Sequence, residues 1–501
     1  MTAVLAREHL ADATQHLAII DIGSNSIRLV VYDGLVRTPQ VLFNEKAVCA
    51  LAQGLEGSGR LNPDGVEPAM AAIGRFIRLS RAMRIGSLDI LATAAVREAI
   101  DGRAFAAEIE RRWKVKVTVL AGEEEARLAA SGVLCGNPEA DGLVADLGGG
   151  SLELVALDGG KIGASAATLP LGVLRLSEAS DADPSRAEEL IDHQFDRLDW
   201  LDKRHGRSLY AVGGAWRAVA RLVIEQTDHP LHVIDNYTLT RSAATGLLDL
   251  IARQSRKSLE KIAGLSRKRI PHLPLAALLL NKVLERSHAS ELVFSVYGMR
   301  EGQFFRRLPP AVRTQDPLLA ACEHLARTQG RFPAHGDEML AWMAPLFRGE
   351  SAGQRRLRHA ACLLGDLFWN EHPDYRAEQA FLRVIRLPVM GLEHRDRVAL
   401  ALAVYARYDD DRAPPERHVL ALLGEEDQRR ATMIGLLLRL GHTLSGGVPG
   451  ILSATRIGRN GDNLVLTLPA SDPAFAPDLA DRRYDRLAKL VGADKFEMRR
   501  K

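Results

Sequence analysis

Residues 17–32 read Leu17-Ala-Ile-Ile-Asp21-Ile-Gly23-Ser24-Asn25-Ser26-Ile-Arg28-Leu-Val-Val-Tyr32. The apolar run before Gly23 is short and ends in a cluster of turn-forming residues, so it reads as a buried strand entering a turn. Ile27 to Tyr32 resumes as a second strand, and a third follows from Val41. The plan recurs at Leu143-Val-Ala-Asp146-Leu-Gly148-Gly149-Gly150-Ser151, with a strand from Leu152 to Leu157, a Gly159-Gly160 hairpin turn and a strand from Lys161 to Leu169. This is an internal duplication. Each copy ends a buried strand in Asp and follows it with small residues whose backbone amides can come close to an anion.

Working outward, Val66 to Arg84 has helical spacing, Leu88 to Ala92 reads as a strand, Arg103 to Trp113 as a helix and Val115 to Leu120 as a strand. After the second turn, Arg186 to His205 reads as helix, Ser208 to Val212 as a strand into Gly213-Gly214, and Ala215 to Ile224 as helix. Helical patterns run from Ala243 to Leu284, and Leu292 to Val296 is a last strand before Gly298. Both halves are therefore expected to be α/β. Past Pro309-Pro310 the pattern turns to Ala/Leu/Arg-rich amphipathic stretches up to about Gly424, which predicts an all-helical domain. Ile451 to Ile457, the turn Gly458 to Asp462, and Leu464 to Leu468 read as a β-hairpin, and Leu479 to Val491 as a helix, a small α+β module. The expected organisation is a loose leader at 1–16, domains at 17–139, 140–312 and 313–425, and a module at 426–501.

The 501 residues are too many for one core, and 47% hydrophobic with 26% charged residues is the composition of a soluble globular protein. A net charge of +3 leaves any polyanion partner to local clusters. Cys49, Cys135, Cys322 and Cys362 form no CxxC pair, which excludes a zinc ribbon or disulfide framework and fits a reducing, cytoplasmic setting. The leader lacks a signal-peptide core, and the longest apolar run, Leu273 to Leu280, is too short to span a membrane.

Two such turns are what a cleft needs to grip a phosphate from opposite sides. Asp21 and Asp146 would hold a cation or its waters, while Gly23, Ser24, Asn25 and Ser26 on one side and Gly148, Gly149, Gly150 and Ser151 on the other supply amides and hydroxyls. A chemistry of phosphoryl transfer follows.

Asp21-Ile-Gly-Ser-Asn-Ser-Ile-Arg-Leu and Asp146-Leu-Gly-Gly-Gly-Ser-Leu-Glu resemble the paired phosphate motifs of the exopolyphosphatase / guanosine pentaphosphate phosphohydrolase (Ppx/GppA) family. The resemblance extends, in the family's order, to Thr93-Ala-Ala-Val-Arg-Glu-Ala, Gly122-Glu-Glu-Glu-Ala-Arg-Leu, Pro170-Leu-Gly-Val-Leu-Arg-Leu, Gly213-Gly-Ala-Trp-Arg-Ala and Ser295-Val-Tyr-Gly-Met-Arg-Glu-Gly. It implies two actin-like domains of the sugar kinase/Hsp70/actin superfold. It also implies Glu125 as the base for water and Glu153 as its acidic partner and a metal ligand with Asp21 and Asp146. Glu123 and Glu124 are read instead as a solvated first helical turn. Arg97 resembles the family's phosphate-contacting arginine, and Arg28 is read either as a site residue or as a solvated strand residue. Gly213-Gly214 is assigned a structural role.

The basic residues Arg253, Arg256, Lys257, Lys261, Arg267, Lys268 and Arg269 read either as a polyanion guide or as a solvated helix face. The stretch Arg269-Ile-Pro-His-Leu-Pro departs from the family pattern. His359, Asp366, His372, Asp374 and His394 resemble the HD-like third domain of long members, but Leu364-Gly365-Asp366 lacks the adjacent His, which implies a degenerate HD fold without metal. The resemblance implies a homodimeric exopolyphosphatase using Mg²⁺ or Mn²⁺ to remove terminal phosphate from inorganic polyphosphate processively. The alternatives are a guanosine pentaphosphate 5′-phosphohydrolase, an ATP-dependent kinase of the same superfold, and a non-catalytic polyphosphate or alarmone sensor. Neither nucleic acid nor membrane is expected as a partner.

Overall fold

The computed structural model of the protein describes residues 16–203, 206–260, 270–409, 411–470 and 482–501. Two compact units divide the chain, Met1–Thr314 and Gln315–Lys501.

The first unit is built on two sheets. Strands β1 (Leu17–Ile22), β2 (Ser26–Tyr32), β3 (Val41–Val48), β4 (Ser87–Ala92) and β5 (Val117–Val119) lie in the order β3-β2-β1-β4-β5. Strands β6 (Gly142–Leu147), β7 (Leu152–Leu157), β8 (Ile162–Leu169), β9 (Ser208–Gly213), β10 (Tyr237–Thr240) and β11 (Glu291–Phe294) lie in the order β10-β11-β9-β6-β7-β8. The duplication is exact at this level: β1 pairs antiparallel with β2 and parallel with β4, and β6 pairs antiparallel with β7 and parallel with β9.

Strand β1 is apolar on both faces because both are covered. Ala18, Ile20 and Ile22 pack with Ile73, Phe76 and Ile77 of α1 (Pro63–Ala82) and Phe105 and Ile109 of α2 (Gly102–Trp113). Helix α1 starts where Asn62 caps it, accepting a hydrogen bond from the Asp64 N–H, with Pro63 in the first turn. On the other face, Leu17 and Ile19 meet Met299 and Phe304 of α7 (Met299–Arg307), a helix from the far end of the unit. Helix α3 (Gly122–Gly136) does the reverse. It follows β5, yet Ala126, Ala130 and Val133 pack on Val144, Val155, Val212 and Val293 of the second sheet, whose opposite face is covered by α5 (Gly214–Gln226) and α6 (Leu273–Ser287).

The expected boundary at 139/140 therefore follows chain order and not packing, since α3 and α7 are exchanged between the sheets. They cross at glycines. A Cβ on Gly302 would stand 1.8 Å from the Leu128 carbonyl oxygen, and one on Gly132 would stand 2.1 Å from that of Gly298.

The second unit has a helical core that includes α8 (His335–Met343), α9 (Ala352–Leu364), α10 (His394–Tyr408) and α11 (Glu425–Ser445), with a sheet of β12 (Arg456–Asn460), β13 (Asn463–Leu468) and β14 (Lys495–Arg500) in that order. The expected boundary at 425/426 does not match the packing. Helix α11 is part of the helical core, for Gly435 sits so close to α10 that a Cβ would meet the Ala403 carbonyl oxygen at 2.5 Å. The hairpin turn is displaced from the expected position. Gly458 lies within β12, and the chain reverses at Gly461, which has the positive φ of 57° that the turn needs. Strand β14 has no counterpart among the expected elements. Of the expected helix from Leu479, residues 479–481 lie outside the described residues and Arg482–Leu490 is helical. Among the described residues no helix is long and apolar enough to cross a membrane, and all four cysteines are buried and free.

Candidate active site

The two duplicated turns have the same internal closure: the Gly23 N–H donates to the Ser26 carbonyl oxygen at 3.1 Å, and the Gly148 N–H to that of Ser151 at 3.0 Å. They touch one another. A Cβ on Gly149 would stand 3.1 Å from the Ser24 Cβ, and one on Gly150 would stand 3.0 Å from the Ser24 Oγ, so any larger residue there would crowd the approach. The two turns, expected to grip a phosphate from opposite sides, approach one another closely at these points.

At the base of each turn the strand register sets a cross-strand pair, and the two pairs differ. Asp21 stands opposite Arg28, whereas Asp146 stands opposite Glu153. One half thus carries a compensated carboxylate and the other carries two acids side by side. Burial raises the Asp21 carboxyl pKa against the pull of Arg300 and Arg28. Burial pushes Asp146 up to about 6, opposed by Arg217 and Arg300 and reinforced by Asp21. Glu153, 2% exposed, is held well above the ordinary carboxylate value by burial and then by Glu125 and Asp146. Its Oε1 has no hydrogen-bond partner among the described residues, and neither has the Oγ1 of Thr168, its neighbour on β8.

Glu125 lies in the first turn of α3, its own N–H donating to the Ala121 carbonyl oxygen at 2.9 Å. Its Oε2 accepts a 2.7 Å hydrogen bond from the Arg97 Nη1, which also donates to the Leu120 carbonyl oxygen at 3.2 Å. Burial pushes the Glu125 carboxyl up to about 7, with Arg97 pulling down and Asp146 and Asp21 pushing further up. Arg97 comes from the short helix Ala94–Glu98 of the first half and Glu153 from the second sheet, so the folded chain brings a cation and acids of both halves to one place.

Arg300 and Glu301 are the functional residues that the sequence reading left without a role. Arg300, on α7, is partly buried and its Nη1 stands 3.5 Å from the Asp21 Oδ2. Burial works against its charge, but Glu301, Asp21, Tyr32 and Asp146 outweigh that and raise its pKa. Glu301 accepts from the Gly298 N–H at 2.9 Å and fixes the start of the helix that delivers Arg300. The signal was the quoted run Ser295 to Gly302, whose Arg-Glu pair has no reason to be apolar-face filler.

Other expected positions separate from the site or reinforce the turn geometry. Gly213 takes a positive φ of 109° and its backbone lies against Leu147, where a Cβ would meet the carbonyl oxygen at 2.4 Å, a structural glycine. Arg253 and Lys257 are exposed, while Lys261, Arg267, Lys268 and Arg269 lie outside the described residues.

In the second unit, His359 pairs with Asp337 at 2.8 Å and His372 with Asp374 at 3.8 Å, both away from the buried Asp366. Asp366 accepts instead from Arg331 Nη2 at 2.6 Å and Arg407 Nη2 at 3.4 Å, with His335 and His442 stacked edge-on nearby, ring centroids 4.8 Å apart. Burial, then Arg407 and His335, holds His442 well below the usual histidine range, and burial also lowers His335 against its partner Glu338. Unfolding lets both charge near their ordinary value of about 6.5, so this contribution to stability is present above that pH and is lost as pH falls below it. Calorimetry of the full chain from pH 7.5 to 5.5 should show a loss below pH 6.5 approaching about 1.4 kcal/mol per pH unit from His442, with a smaller part from His335, and His442→Gln should flatten the slope relative to wild type.

Comparison with known proteins agrees with this geometry. Residues 29–311 match the Ppx/GppA phosphatase family, and residues 318–498 match the family described as exopolyphosphatase, C-terminal. Retrograde regulation protein 2 of Saccharomyces cerevisiae is 25% identical over 434 residues, 78% of this chain and 72% of its own length. Exopolyphosphatase 1 of Mycobacterium tuberculosis is 25% identical over 309 residues, 58% of this chain and 88% of its own. The crystal structure of an exopolyphosphatase from Cytophaga hutchinsonii covers 57% of this chain and 96% of its own, with a TM-score of 0.52 at 23% identity, a likeness of fold that includes the actin-like pair of sheets. With its paired turns, its crossed helices and a family match over more than half its length, this chain belongs to the Ppx/GppA phosphatase family.

Proposed function

We propose that the protein is an exopolyphosphatase that hydrolyses the terminal phosphoanhydride bond of inorganic polyphosphate. The observation that carries the proposal is the Arg97–Glu125 pair: a carboxyl brought to a pKa of about 7 by burial, hydrogen-bonded to a guanidinium, among acids that sit beneath two phosphate-sized amide turns. The C-terminal half supports polyphosphate as the substrate class, since residues 318–498 match the exopolyphosphatase C-terminal family.

The donor set suits a hard divalent cation such as Mg²⁺ or Mn²⁺. Asp21, Asp146 and Glu153 offer oxygen only, and Glu153 keeps an unpartnered Oε1 among the described residues. Among the described residues no three His, Cys, Asp or Glu side chains converge as a metal cage, so Asp21, Asp146 and Glu153 would not enclose such an ion by themselves. When bound, such an ion supplies neutralisation of the phosphate oxygens.

The chain's own residues carry the remaining roles. Turn amides at Gly23–Ser26 and Gly148–Ser151 bind and orient the terminal phosphate. Arg97, turning part of its fork from Glu125, holds an equatorial oxygen and spreads the charge that develops there. Glu125 takes a proton from water as its oxygen attacks phosphorus, the anhydride oxygen leaves with the shortened chain, and orthophosphate is released. Glu153, buried beside Glu125, orients that water with it.

Guanosine pentaphosphate is the second reading, because its 5′ end presents the same phosphoanhydride to the same groups. Orthophosphate release with Mg²⁺ from long-chain polyphosphate and from guanosine pentaphosphate, at matched terminal phosphate, decides between them. Faster release from polyphosphate is expected. Preference for the nucleotide keeps the catalytic groups and replaces the substrate, and consumption of ATP coupled to phosphorylation of an acceptor, without orthophosphate release, identifies a kinase.

A further inference from the structure

Arg97 has a second side that the reaction leaves unexplained. Its Nη2 makes no hydrogen bond among the described residues, and the Glu98 Oε1 stands 3.6 Å from it. The other oxygen of Glu98 accepts from the Arg175 Nη1 at 2.8 Å, and the Arg175 Nε reaches Glu56 at 2.6 Å. Arg175 lies on α4 (Val173–Ala179), which is stitched to the second turn by N–H groups of Val173 to the Gly148 carbonyl oxygen at 3.1 Å and of Leu174 to that of Gly149 at 3.0 Å. Glu56 and Glu98 belong to the first half. Charges therefore alternate without a break from the rim to the base: Arg175, Glu98, Arg97, Glu125.

The row joins the halves where the two turns touch. A small hollow beside Ser24 and Gly150 is lined by Glu98 and Arg175, so a phosphate parting the turns comes up against these two side chains first. Resting on the proposed polyphosphate reaction, we infer that Arg175 and Glu98 are positioning residues that act through Arg97: they hold the two turns together and present the Arg97 guanidinium to both Glu125 and the incoming phosphate.

The physics gives the two residues opposite signatures. Glu98 anchors Arg97 and also competes with substrate for it. Glu98→Gln, isosteric at a position with a third of its side chain exposed, removes an anion between two arginines, so polyphosphate should bind more tightly while a less firmly oriented Arg97 slows turnover. Arg175→Met leaves the full charge of Glu98 directed at Arg97 and removes a cation from the rim, so binding should weaken and turnover should also fall. Exposure limits the binding shifts to about two- to fivefold in each direction, largest at low ionic strength.

The test is steady-state orthophosphate release with Mg²⁺, giving kcat and KM for polyphosphate, together with equilibrium binding of a fluorescently end-labelled polyphosphate to the full-length wild type and both variants. Lower kcat in both variants, with affinity rising in Glu98→Gln and falling in Arg175→Met, supports the inference. Affinities that move in the same direction, or a Glu98→Gln kcat equal to wild type, overturn it. A wild type that binds polyphosphate without cleaving it removes the proposed function alone, and the opposed affinity shifts still decide the roles of Glu98 and Arg175.

Discussion

Glu125→Gln should cut orthophosphate release by about a hundred- to ten-thousandfold while polyphosphate still binds. The substitution keeps the side chain's shape and one oxygen for Arg97, so the contact of 2.7 Å can persist. What it removes is the ability to accept a proton from the attacking water. Proton transfer by a positioned side chain contributes about a hundred- to ten-thousandfold, and kcat should fall within that range. The wild-type carboxyl, pushed up to about 7 by burial, is basic enough to take the proton and still largely ionised at slightly alkaline pH. A kcat within a fewfold of wild type sinks the assignment of the base. Loss of polyphosphate binding in the same variant points instead to a collapsed site, which the melting temperature would reveal.

The second large effect is structural. Gly302→Ala places a methyl 1.8 Å from the Leu128 carbonyl oxygen, a backbone atom inside α3 that has no side-chain freedom to yield. The two helices have to separate, and the overpacking should cost about 3 kcal/mol, roughly 6–12 °C in Tm for the unit that contains them. Gly246→Ala is the matched control. It also lies within a helix, Arg241–Ala252, but nothing stands within 4 Å of the added carbon, so the exchange should stabilise by about 0.5–1 kcal/mol. Equal melting temperatures for the two variants would show that the crossing is not as tight as described.

The duplicated motif was readable because its information is local. A strand buried on both faces, an Asp at its end and a turn of small residues are all encoded within ten residues at Leu17 and again at Leu143. The sheets and both phosphate turns follow from that pattern. Helix α3 was readable as a helix but not as a tenant of the other sheet. Ala126, Ala130 and Val133 face one core while Leu128 faces another, and a helix apolar on several sides gives no sign of which sheet lies opposite. For the same reason Glu125 was identified from its motif, whereas Arg300 was not. Its role depends on α7 returning across the unit to Asp21, a contact between residues 279 apart in sequence. The boundary at 425/426 failed because Gly424 looks like a break, yet it serves as the N-cap of a helix that continues the same core. In the hairpin, two glycines were available, and only the pairing of β12 with β13 decides which one must turn.

The crossing of α3 and α7 also bears on how the halves move. Two bodies joined where helices touch backbone to backbone, at Gly132 against Gly298 and Gly302 against Leu128, have a fulcrum there. Points near a fulcrum travel little and points far from it travel far. Asp146, whose carboxylate lies 3.6 Å from where a Cβ on Gly298 would stand, is near, while the Ser24–Gly150 contact is at the rim. Should the halves rotate about that joint, the Ser24–Gly150 contact would open most and the acids beside the crossing would keep their spacing.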